Sequence, residues 1–354
     1  MSEKIPILGM TRDELARIVT DLGLEPFRVP QIWKAIYGRG ANCFEQMTTI
    51  ARSRQAVLAN HLTMERPSIV QDRRSTDDTR KWLVQFADGK RVETVFIPEQ
   101  DRGALCISSQ VGCTLTCRFC HTGTMTMERN LTAGEIVAQV LIARDALSEW
   151  GRKRSDCLLT NVVMMGMGEP LFNFDHVAQA LRVIMDPEGI AISRRRIMLS
   201  TAGVVPLIHR VGRELGVNLA ISLHAVRDDL RNELVPLNRK YPIQELLQAC
   251  RDYPVASNAR RITFEYVMLK GVNDSDADAH ELARLLNGIH AKVNLIPWNP
   301  WPGADFQTSP RERILAFAAI INAAGYSAAV RATRGEDILA ACGQLKFEST
   351  SIVR

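Results

Sequence analysis

The stretch Cys113-Thr-Leu-Thr-Cys117-Arg-Phe-Cys120 places three cysteines within eight residues, in a predicted loop that follows an apolar strand. An iron–sulfur cluster usually takes four cysteine thiolates. Three thiolates at this spacing therefore predict a four-iron cluster with one iron left open to a substrate. A zinc knuckle and a chance group of structural cysteines remain as alternatives. Zinc usually recruits a second Cys or His pair, and the adjacent His121 is poorly placed to complete a tetrahedron.

Composition and charge limit the class of protein. The 354 residues are 46% hydrophobic and 23% charged, values that are ordinary for a soluble globular enzyme. The N-terminal sequence lacks a secretory core and no apolar run is as long as a membrane span, so we expect a cytoplasmic protein. In that reducing compartment, the eight cysteines would serve metals or redox chemistry. A net charge of +5 favours an RNA partner only slightly.

The first part of the chain has helical patterns, and a β-hairpin pattern follows. Thr11-Arg-Asp-Glu14 forms a capping-box pattern ahead of an apolar-periodic stretch. From Lys81 the apolar period becomes two, and Asp88-Gly89 separates two predicted strands. We therefore predict a helical accessory domain over residues 1–75, a candidate for RNA binding, and a hairpin extension or linker over residues 76–102.

From Gly103 onward, predicted strands alternate with predicted helices. Such alternation indicates a parallel sheet with helices on its outer face. About six units are too few for a closed eight-fold barrel, so we predict an α/β fold with a partial (βα)6 barrel over residues 103–354. Ser309-Pro-Arg-Glu312 is predicted to cap the last helix. The predicted strands are 104–109, 161–165, 196–201, 217–223, 262–268 and 292–297, with a last strand at 327–331.

Polar residues and glycines cluster where these strands end. Because the carboxyl ends of parallel strands share one edge of the sheet, we expect the following segments to converge there. They are the cysteine run, Gly166-Met-Gly-Glu-Pro170, Ser200-Thr-Ala-Gly203, Ser222-Leu-His224 and Trp298-Asn-Pro300.

Each signal also has an ordinary structural interpretation. Gly168 and Glu169 fit a tight turn as well as a clamp for an amino-acid group, because the third glycine of a dinucleotide fingerprint is missing. Strand-end serines commonly act as caps, and a histidine at such a position is more often structural than catalytic. Taken alone, Cys106 and Cys342 fit the default of buried small apolar residues, and Glu93 fits a solvent-facing strand position.

Together, the cysteine spacing and the Gly-Glu-Pro segment resemble the radical S-adenosylmethionine (SAM) superfamily. Wider stretches narrow the resemblance to its RNA adenine methyltransferases, of the bacterial dual-specificity kind that methylates carbon 2 of an adenine in 23S rRNA and in tRNAs. The stretches that carry it are Val92–Pro98, Cys106–Cys113, Met165–Pro170, Leu199–Gly203, Ile296–Pro300 and Arg334–Leu345.

The resemblance implies a full set of site residues. Ligands of one [4Fe–4S] cluster would be Cys113, Cys117 and Cys120. Cys342 would carry the methyl group as S-methylcysteine, Cys106 would resolve the adduct through a disulfide with Cys342, and Glu93 would accept a proton. Contacts to SAM would come from Gly168, Glu169, Ser200, Ser222, Leu223, His224 and Asn299.

The implied reaction consumes two SAM molecules. The first methylates Cys342, and the second is cleaved to a 5′-deoxyadenosyl radical that takes hydrogen from the S-methyl group. The resulting carbon radical adds to an adenine that must be unstacked. Glu93 then removes the ring proton, and Cys106 releases the RNA and leaves a disulfide. An electron donor such as flavodoxin or ferredoxin and a monomeric enzyme are also implied.

Two alternative functions are kept open. Related antibiotic-resistance enzymes methylate carbon 8 of the same rRNA adenine and share the cluster and paired-cysteine logic. A different class is a non-catalytic RNA-binding protein that carries zinc or a cluster.

Overall fold

The computed structural model describes residues 4–100, 102–254 and 256–347. Its strands are β1 Ile5–Pro6, β2 Leu62–Thr63, β3 Ser68–Arg74, β4 Arg80–Gln85, β5 Arg91–Pro98, β6 Gly103–Cys106, β7 Gln110–Val111, β8 Arg129–Asn130, β9 Asn161–Met164, β10 Ile197–Thr201, β11 Asn218–Ser222, β12 Ile262–Met268, β13 Ala291–Pro297 and β14 Ser327–Val330. Its α-helices are α1 Arg12–Asp21, α2 Arg28–Trp33, α3 Arg52–His61, α4 Ala133–Ala146, α5 Phe174–Met185, α6 Val205–Arg210, α7 Asp228–Leu234, α8 Ile243–Arg251, α9 Asp276–Leu285 and α10 Arg311–Ala323.

One ten-stranded sheet organises the molecule, in the order β14-β13-β12-β11-β10-β9-β6-β5-β4-β3. The strands from β6 through β9 to β14 pair in parallel, whereas β3 to β6 pair antiparallel. The predicted α/β fold with a partial parallel barrel is thus confirmed, and so is the hairpin at Asp88-Gly89. The hairpin gains a third strand, β3, that was not predicted, and we call β3–β5 the antiparallel extension.

Helix starts follow local capping rules in one case and depart from them in another. Thr11 caps α1 in the predicted capping box with Glu14. The predicted box at Ser309 is wrong, because α10 begins after Pro310 and has no side-chain cap. The buried Ser309 hydroxyl instead donates to Asp274 Oδ2 at 2.7 Å. The Ser309 hydroxyl therefore bonds a residue that is distant in sequence instead of capping α10.

The N-terminal helices pack on the outside of the barrel. Gly9 lies so close to α4 that a Cβ there would approach the Gly134 nitrogen to 2.2 Å. Arg12 forms an ion pair with Asp186, after α5, at 2.7 Å. The pairing of β1 with β2 joins the start of this region to its end. Among the described residues, no helix is both long enough and apolar enough to cross a bilayer.

Candidate active site

A cavity lies at the carboxyl edge of the parallel strands, as the strand-end pattern predicts. Most of the predicted site residues line it, and they come from six separate segments of the chain. These lining residues are Cys113, Cys117, Cys120, Gly168, Glu169, Ser200, Ser222, His224, Asn299 and Cys342. A larger cavity of about 920 Å³ lies between the N-terminal helices and the barrel, but it contains none of them. Because the predicted site residues line the smaller cavity, this cavity is the candidate site.

The cysteine loop, residues 113–120, is held in a fixed shape by backbone contacts. The amide of Cys120 donates to the Cys117 carbonyl at 3.1 Å. Both Trp298 and Trp301 donate their indole N–H to the Phe119 carbonyl, at 2.9 and 3.0 Å. A carbonyl that accepts two indole donors has little freedom to turn. The loop therefore presents its cysteines in a preformed arrangement.

The three thiols of the loop are unbridged and lie at the cavity wall, and their residues are half-buried. Burial raises the pKa of Cys113 to about 12, and it also raises the pKa of Cys117 and Cys120, with the mutual repulsion of thiolates adding to the rise at Cys117. A group of this kind needs a cationic centre to become a set of thiolates. Among the described residues, no three His, Cys, Asp or Glu side chains gather around a point that could hold a single metal ion. Three thiols on one loop are nevertheless a donor set that suits an iron–sulfur cluster.

Glu169 is a buried carboxylate with an unusual environment. One oxygen accepts the Leu171 amide at 3.0 Å and the other accepts the Ala202 amide at 2.8 Å. Burial raises the pKa of Glu169 to about 7, although these amide donors oppose the rise. Each carboxylate oxygen keeps a lone pair that could meet an ammonium group.

Gly168 beside it is a glycine by necessity. Its φ is 96°, and a Cβ would lie 2.5 Å from the Gln110 side chain. The carboxamide oxygen of Gln110 accepts the Glu169 amide at 3.0 Å and the Thr114 hydroxyl at 3.0 Å. Gln110 therefore fixes the Gly-Glu-Pro segment against the cysteine loop. Sequence analysis missed this residue.

Ser200 and Ser222 end neighbouring parallel strands, and their hydroxyls lie 3.4 Å apart. Beneath them, Arg231 of α7 is completely buried and donates to the carbonyls of Ala202 at 2.7 Å and Ser222 at 3.1 Å. It also donates to Leu223 and Asn238, at 2.9 and 2.8 Å. A buried arginine thus fixes two strand ends at once. Its signal in the sequence is hidden, because an arginine in an amphipathic helix normally faces water.

His224 is a neutral, satisfied histidine. Its Nδ1 accepts the Val267 amide at 3.1 Å, and its ring meets Phe119 edge-on with centroids 4.5 Å apart. Burial lowers the pKa of His224 to about 3, and the nearby Arg231 adds to the decrease. An acceptor at Nδ1 places the ring proton on Nε2. This agrees with the structural or ligand-orienting interpretation rather than with proton transfer.

Register in the antiparallel extension brings three site residues to one face of the sheet. Lys81 is opposite Val95, and Val95 is opposite Cys106. Directly opposed residues share a face, and so does Glu93, two positions from Val95. Glu93 is 3% exposed, so the solvent-facing interpretation is wrong.

Glu93 pairs with a lysine that sequence analysis did not single out. Lys81 Nζ lies 2.8 Å from Glu93 Oε1, and both side chains are nearly inaccessible to water. Burial raises the pKa of Glu93, while the charge and hydrogen bond of Lys81 oppose the rise. Oε2 is buried without a hydrogen-bond partner among the described residues. The carboxylate thus has one occupied and one free oxygen.

The segment of residues 334–347, here the C-terminal segment, crosses the cavity and carries Cys342. The side-chain amide of Asn299 donates to the Cys342 carbonyl at 3.0 Å, and the backbone amide of His121 donates to the Gly343 carbonyl at 2.7 Å. Cys342 is exposed as a residue, so the interpretation as a buried apolar residue is wrong. Desolvation at the cavity wall, with Glu265 nearby, nevertheless raises the pKa of its thiol.

Cys106 and Cys342 are both free thiols. Burial raises the pKa of Cys106, and the charge of Cys342 raises it further. Cys106 and Glu93 do not line the cavity itself but lie on the sheet beside it. Leu223 is fully buried beneath the cavity, with its amide donating to Glu265 and its carbonyl accepting from Arg231, so only its backbone lies near the site.

Two runs of arginines in the sequence lie away from the cavity. Arg194–Arg196 immediately precedes β10, and Arg260 and Arg261 immediately precede β12. The amino ends of parallel strands form the edge opposite the cavity. These arginines therefore do not border the candidate site.

Two further residues belong to the site by position. Glu265 of β12 lines the cavity and accepts a hydrogen bond from Asn294 at 2.9 Å. Both Glu265 and Lys81 are charged residues that are buried within strands, at 7% and 4% exposure. A charge between apolar neighbours, as in Phe264-Glu265-Tyr266, is the signal that would have found Glu265, whereas Lys81 follows Arg80 and has no such signal.

Comparisons with known proteins agree with this geometry. Residues 107–283 match the Radical SAM superfamily, and residues 5–64 match the ribosomal RNA large subunit methyltransferase N-terminal domain. The dual-specificity RNA methyltransferase RlmN of Rhodospirillum rubrum is 58% identical over 98% of this chain and 81% of its own. The protein of the same name from Bradyrhizobium diazoefficiens is 60% identical over 99% of this chain and 90% of its own.

A solved structure is similar over almost the whole chain. The crystal structure of a radical SAM methyltransferase from Sphaerobacter thermophilus superposes with a TM-score of 0.91 at 46% identity, covering 97% of this chain and all of that one. The chain is therefore a member of the radical SAM superfamily and, within it, of the RlmN family of dual-specificity RNA methyltransferases.

Proposed function

We propose that this enzyme methylates carbon 2 of an adenine in 23S rRNA and in tRNAs, with Cys342 as the methyl carrier. The observation that carries the proposal is that Cys342 lines the same cavity as the three cysteines of the loop. Relatives that bear the name dual-specificity RNA methyltransferase, 58–60% identical over nearly the full chain, support the substrate class. The cytoplasm is the compartment in which both RNAs would be met.

Cys113, Cys117 and Cys120 would hold a [4Fe–4S] cluster and leave one iron for the amino and carboxylate groups of SAM. When bound and reduced by a flavodoxin- or ferredoxin-like donor, the cluster supplies the electron that cleaves SAM to a 5′-deoxyadenosyl radical. Glu169 would accept hydrogen bonds from the SAM ammonium through its remaining lone pairs. The Ser200 and Ser222 hydroxyls, the His224 ring and Asn299 would complete the seat.

Cys342 would act first as a nucleophile. Its thiol must lose a proton, and the positive sulfonium of SAM beside it would favour the thiolate, against the rise in pKa that burial causes. The sulfur–methyl bond forms as the sulfonium–methyl bond breaks. Loss of a hydrogen atom from this methyl group then gives the carbon that joins Cys342 to the adenine.

Glu93 and Cys106 would resolve that covalent adduct. The adduct radical would return one electron to the oxidised cluster, and the free Oε2 of Glu93 would accept the ring proton of the adenine. The Cys106 thiolate would then attack the sulfur of Cys342, forming a disulfide as the carbon–sulfur bond breaks, and the released carbon would take up a proton to become the methyl group. Two electrons from a reductant would restore both thiols. The position of Cys106 beside Glu93 on one face of the sheet supports this order.

Anaerobic reconstitution with iron, sulfide, SAM and RNA tests the proposal. Digested product should contain 2-methyladenosine from both an rRNA fragment and a tRNA, identified by mass spectrometry against authentic standards. 8-Methyladenosine would overturn the choice of ring position. Bound zinc, with RNA binding but no SAM cleavage, would overturn the enzymatic proposal in favour of a binding protein.

A further inference from the structure

The ammonium group of Lys81 contacts both the proposed base, Glu93, and the segment that carries the proposed methyl carrier, Cys342. Lys81 Nζ contacts Glu93 Oε1 at 2.8 Å and donates to the Leu339 carbonyl at 2.9 Å. Leu339 lies three residues before Cys342 in the C-terminal segment. The side chain of Lys81 is 5% exposed, so neither contact is replaced by water.

The carboxylate of Glu93 is oriented by this contact. Its backbone is already fixed, because its carbonyl accepts the Ser108 hydroxyl at 2.7 Å and its amide contacts Met167 Sδ at 3.4 Å. With Oε1 occupied by Lys81, the free oxygen is Oε2. A buried carboxylate with one oxygen committed to a cation has a defined direction for the other.

The carbonyl of Leu339 needs an external partner as well. Leu339 follows the short helical turn Glu336–Ile338 and has a left-handed backbone with φ of 52°. This region disfavours a non-glycine residue, so surrounding contacts must maintain it. Lys81 supplies one such contact at the point where the chain turns toward Cys342.

We infer that Lys81 is a positioning residue that holds the proton acceptor Glu93 and the Cys342 segment in one arrangement, so that the base faces the adduct carried by Cys342. This inference rests on the proposed function and deepens it. It assigns no chemical step to Lys81 itself, whose charge orients Glu93 and whose hydrogen bond fixes Leu339.

Three variants separate these contributions. Lys81→Met removes charge and hydrogen bond, Lys81→Gln keeps a donor without charge, and Lys81→Arg keeps both. Lys90→Met is the matched control, because Lys90 lies in the turn of the same hairpin, exposed, and pairs with Glu128 instead. Far-UV circular dichroism and iron content establish that each variant folds and binds its cluster.

The first readout is independent of turnover. Hydrogen exchange of the peptide 334–342 in the RNA-free protein should be at least tenfold faster in Lys81→Met than in wild type, and unchanged in Lys90→Met. Lys81→Gln should lie nearer wild type, because its amide can still donate to Leu339. Unchanged exchange in Lys81→Met would overturn the role of Lys81 in holding the segment.

The second readout is the pH profile of adduct breakdown, followed on denaturing gels. Apart from Lys81 on β4, the charged group that acts on Glu93 is Arg73 on β3, and the Lys346 backbone faces it from the C-terminal segment. Removing Lys81 removes the main opponent of burial, so the pKa of Glu93 rises. Breakdown in Lys81→Met and Lys81→Gln should slow at least tenfold at neutral pH and recover at higher pH, while Lys81→Arg stays close to wild type.

A wild-type profile in both uncharged variants would overturn the inference while leaving the proposed function intact. If wild-type enzyme forms no adduct and no methylated RNA, the proposed function fails and this inference fails with it. If Lys81→Met does not fold, the pH profile of Lys81→Gln carries the test, and a wild-type profile in that variant overturns the inference.

Discussion

Two walls border the candidate site, one on the parallel barrel and one formed by the C-terminal segment. Different hydrogen bonds hold each wall in place. In the barrel, Glu169 and His224 are fixed by amides 33 and 43 residues away, at the ends of neighbouring strands. In the C-terminal segment, Asp337 accepts from Ser75 and Leu339 from Lys81, across separations of 262 and 258 residues. The barrel fold alone therefore builds the proposed cofactor seat. The proposed methyl-carrier side depends on the contacts of Ser75 and Lys81 with the C-terminal segment, here called the strap.

The comparison assigns separate tasks to the two sides. The barrel wall carries groups that are fixed by backbone amides, which suits the binding of a cofactor. The strap holds the segment that carries Cys342, and its Lys81 also pairs with Glu93, which suits chemistry on a second substrate. Variants on the strap should leave cofactor binding intact and stop RNA methylation, and variants in the barrel wall should affect the stability of the fold itself.

The largest expected effect on RNA methylation comes from replacing either of the two thiols. Cys342→Ala should abolish methylation and form no enzyme–RNA adduct, because no methyl carrier remains, whereas Cys106→Ala should accumulate the adduct. Denaturing gels with labelled RNA measure both. Cys157→Ala, a free cysteine outside the candidate site, is the control. Methylated RNA from either variant at the wild-type level, or an adduct in Cys342→Ala, would contradict the two-thiol scheme.

Glu93→Gln should have the next largest effect on RNA methylation. The amide keeps the shape but cannot accept a proton, so adduct breakdown should slow by at least about 100-fold, the usual contribution of a general base. S-methylation of Cys342, measured by peptide mass spectrometry, should stay at the wild-type level. Loss of Cys342 methylation in this variant would show that the two walls are not separable.

Arg231→Met tests the barrel wall. Removing a buried arginine leaves three carbonyls and Asn238 without their donor, so the free energy of unfolding should fall by about 3 kcal/mol. Urea denaturation measures the change. Arg284→Met, which removes an exposed ion pair with Glu281, should have little effect. Similar losses in both variants would contradict the role given to Arg231.

His224→Gln tests the acid stability of the same wall. The folded-state pKa of His224 is about 3, below the ordinary value of 6.5, so the unfolded chain binds a proton that the folded protein does not. Stability therefore falls as pH drops from about 6.5 to 3, by up to about 1.4 kcal/mol per pH unit. The variant should lose this part of the slope in urea titrations at several pH values, while His280→Gln at an exposed position should keep it.

The smallest expected effect concerns one anchor of the strap. Asp77 accepts the Gly335 amide at 3.0 Å, so Asp77→Ala should speed hydrogen exchange of residues 334–338 by about fivefold, the equivalent of one ordinary hydrogen bond. Asp88→Ala, in the turn at the other end of β4, should not change that segment. No difference between the two would show that Asp77 is not an anchor.

The two walls also differ in how far sequence predicts them. Strand periodicity and the polar strand ends predict the barrel wall, because parallel strands place consecutive carboxyl ends at one edge. Nothing local places Cys342 at that edge, or Glu93 in a buried site, and only the family resemblance indicates their roles. Arg231, Lys81 and Gln110 act through contacts with distant backbone groups, so no pattern within their own strand or helix reveals them. Ser309 likewise bonds a distant residue, the side chain of Asp274, and so does not cap α10.

The most direct test of the central claim uses SAM with a fully deuterated methyl group, in ordinary water. If Cys342 carries the methyl group, one deuterium leaves when the carbon radical forms, and a proton replaces it when Cys106 frees the product. The account predicts 2-methyladenosine with two deuterium atoms, in rRNA and in tRNA. A methyl group with three deuterium atoms, or one on carbon 8, would contradict it.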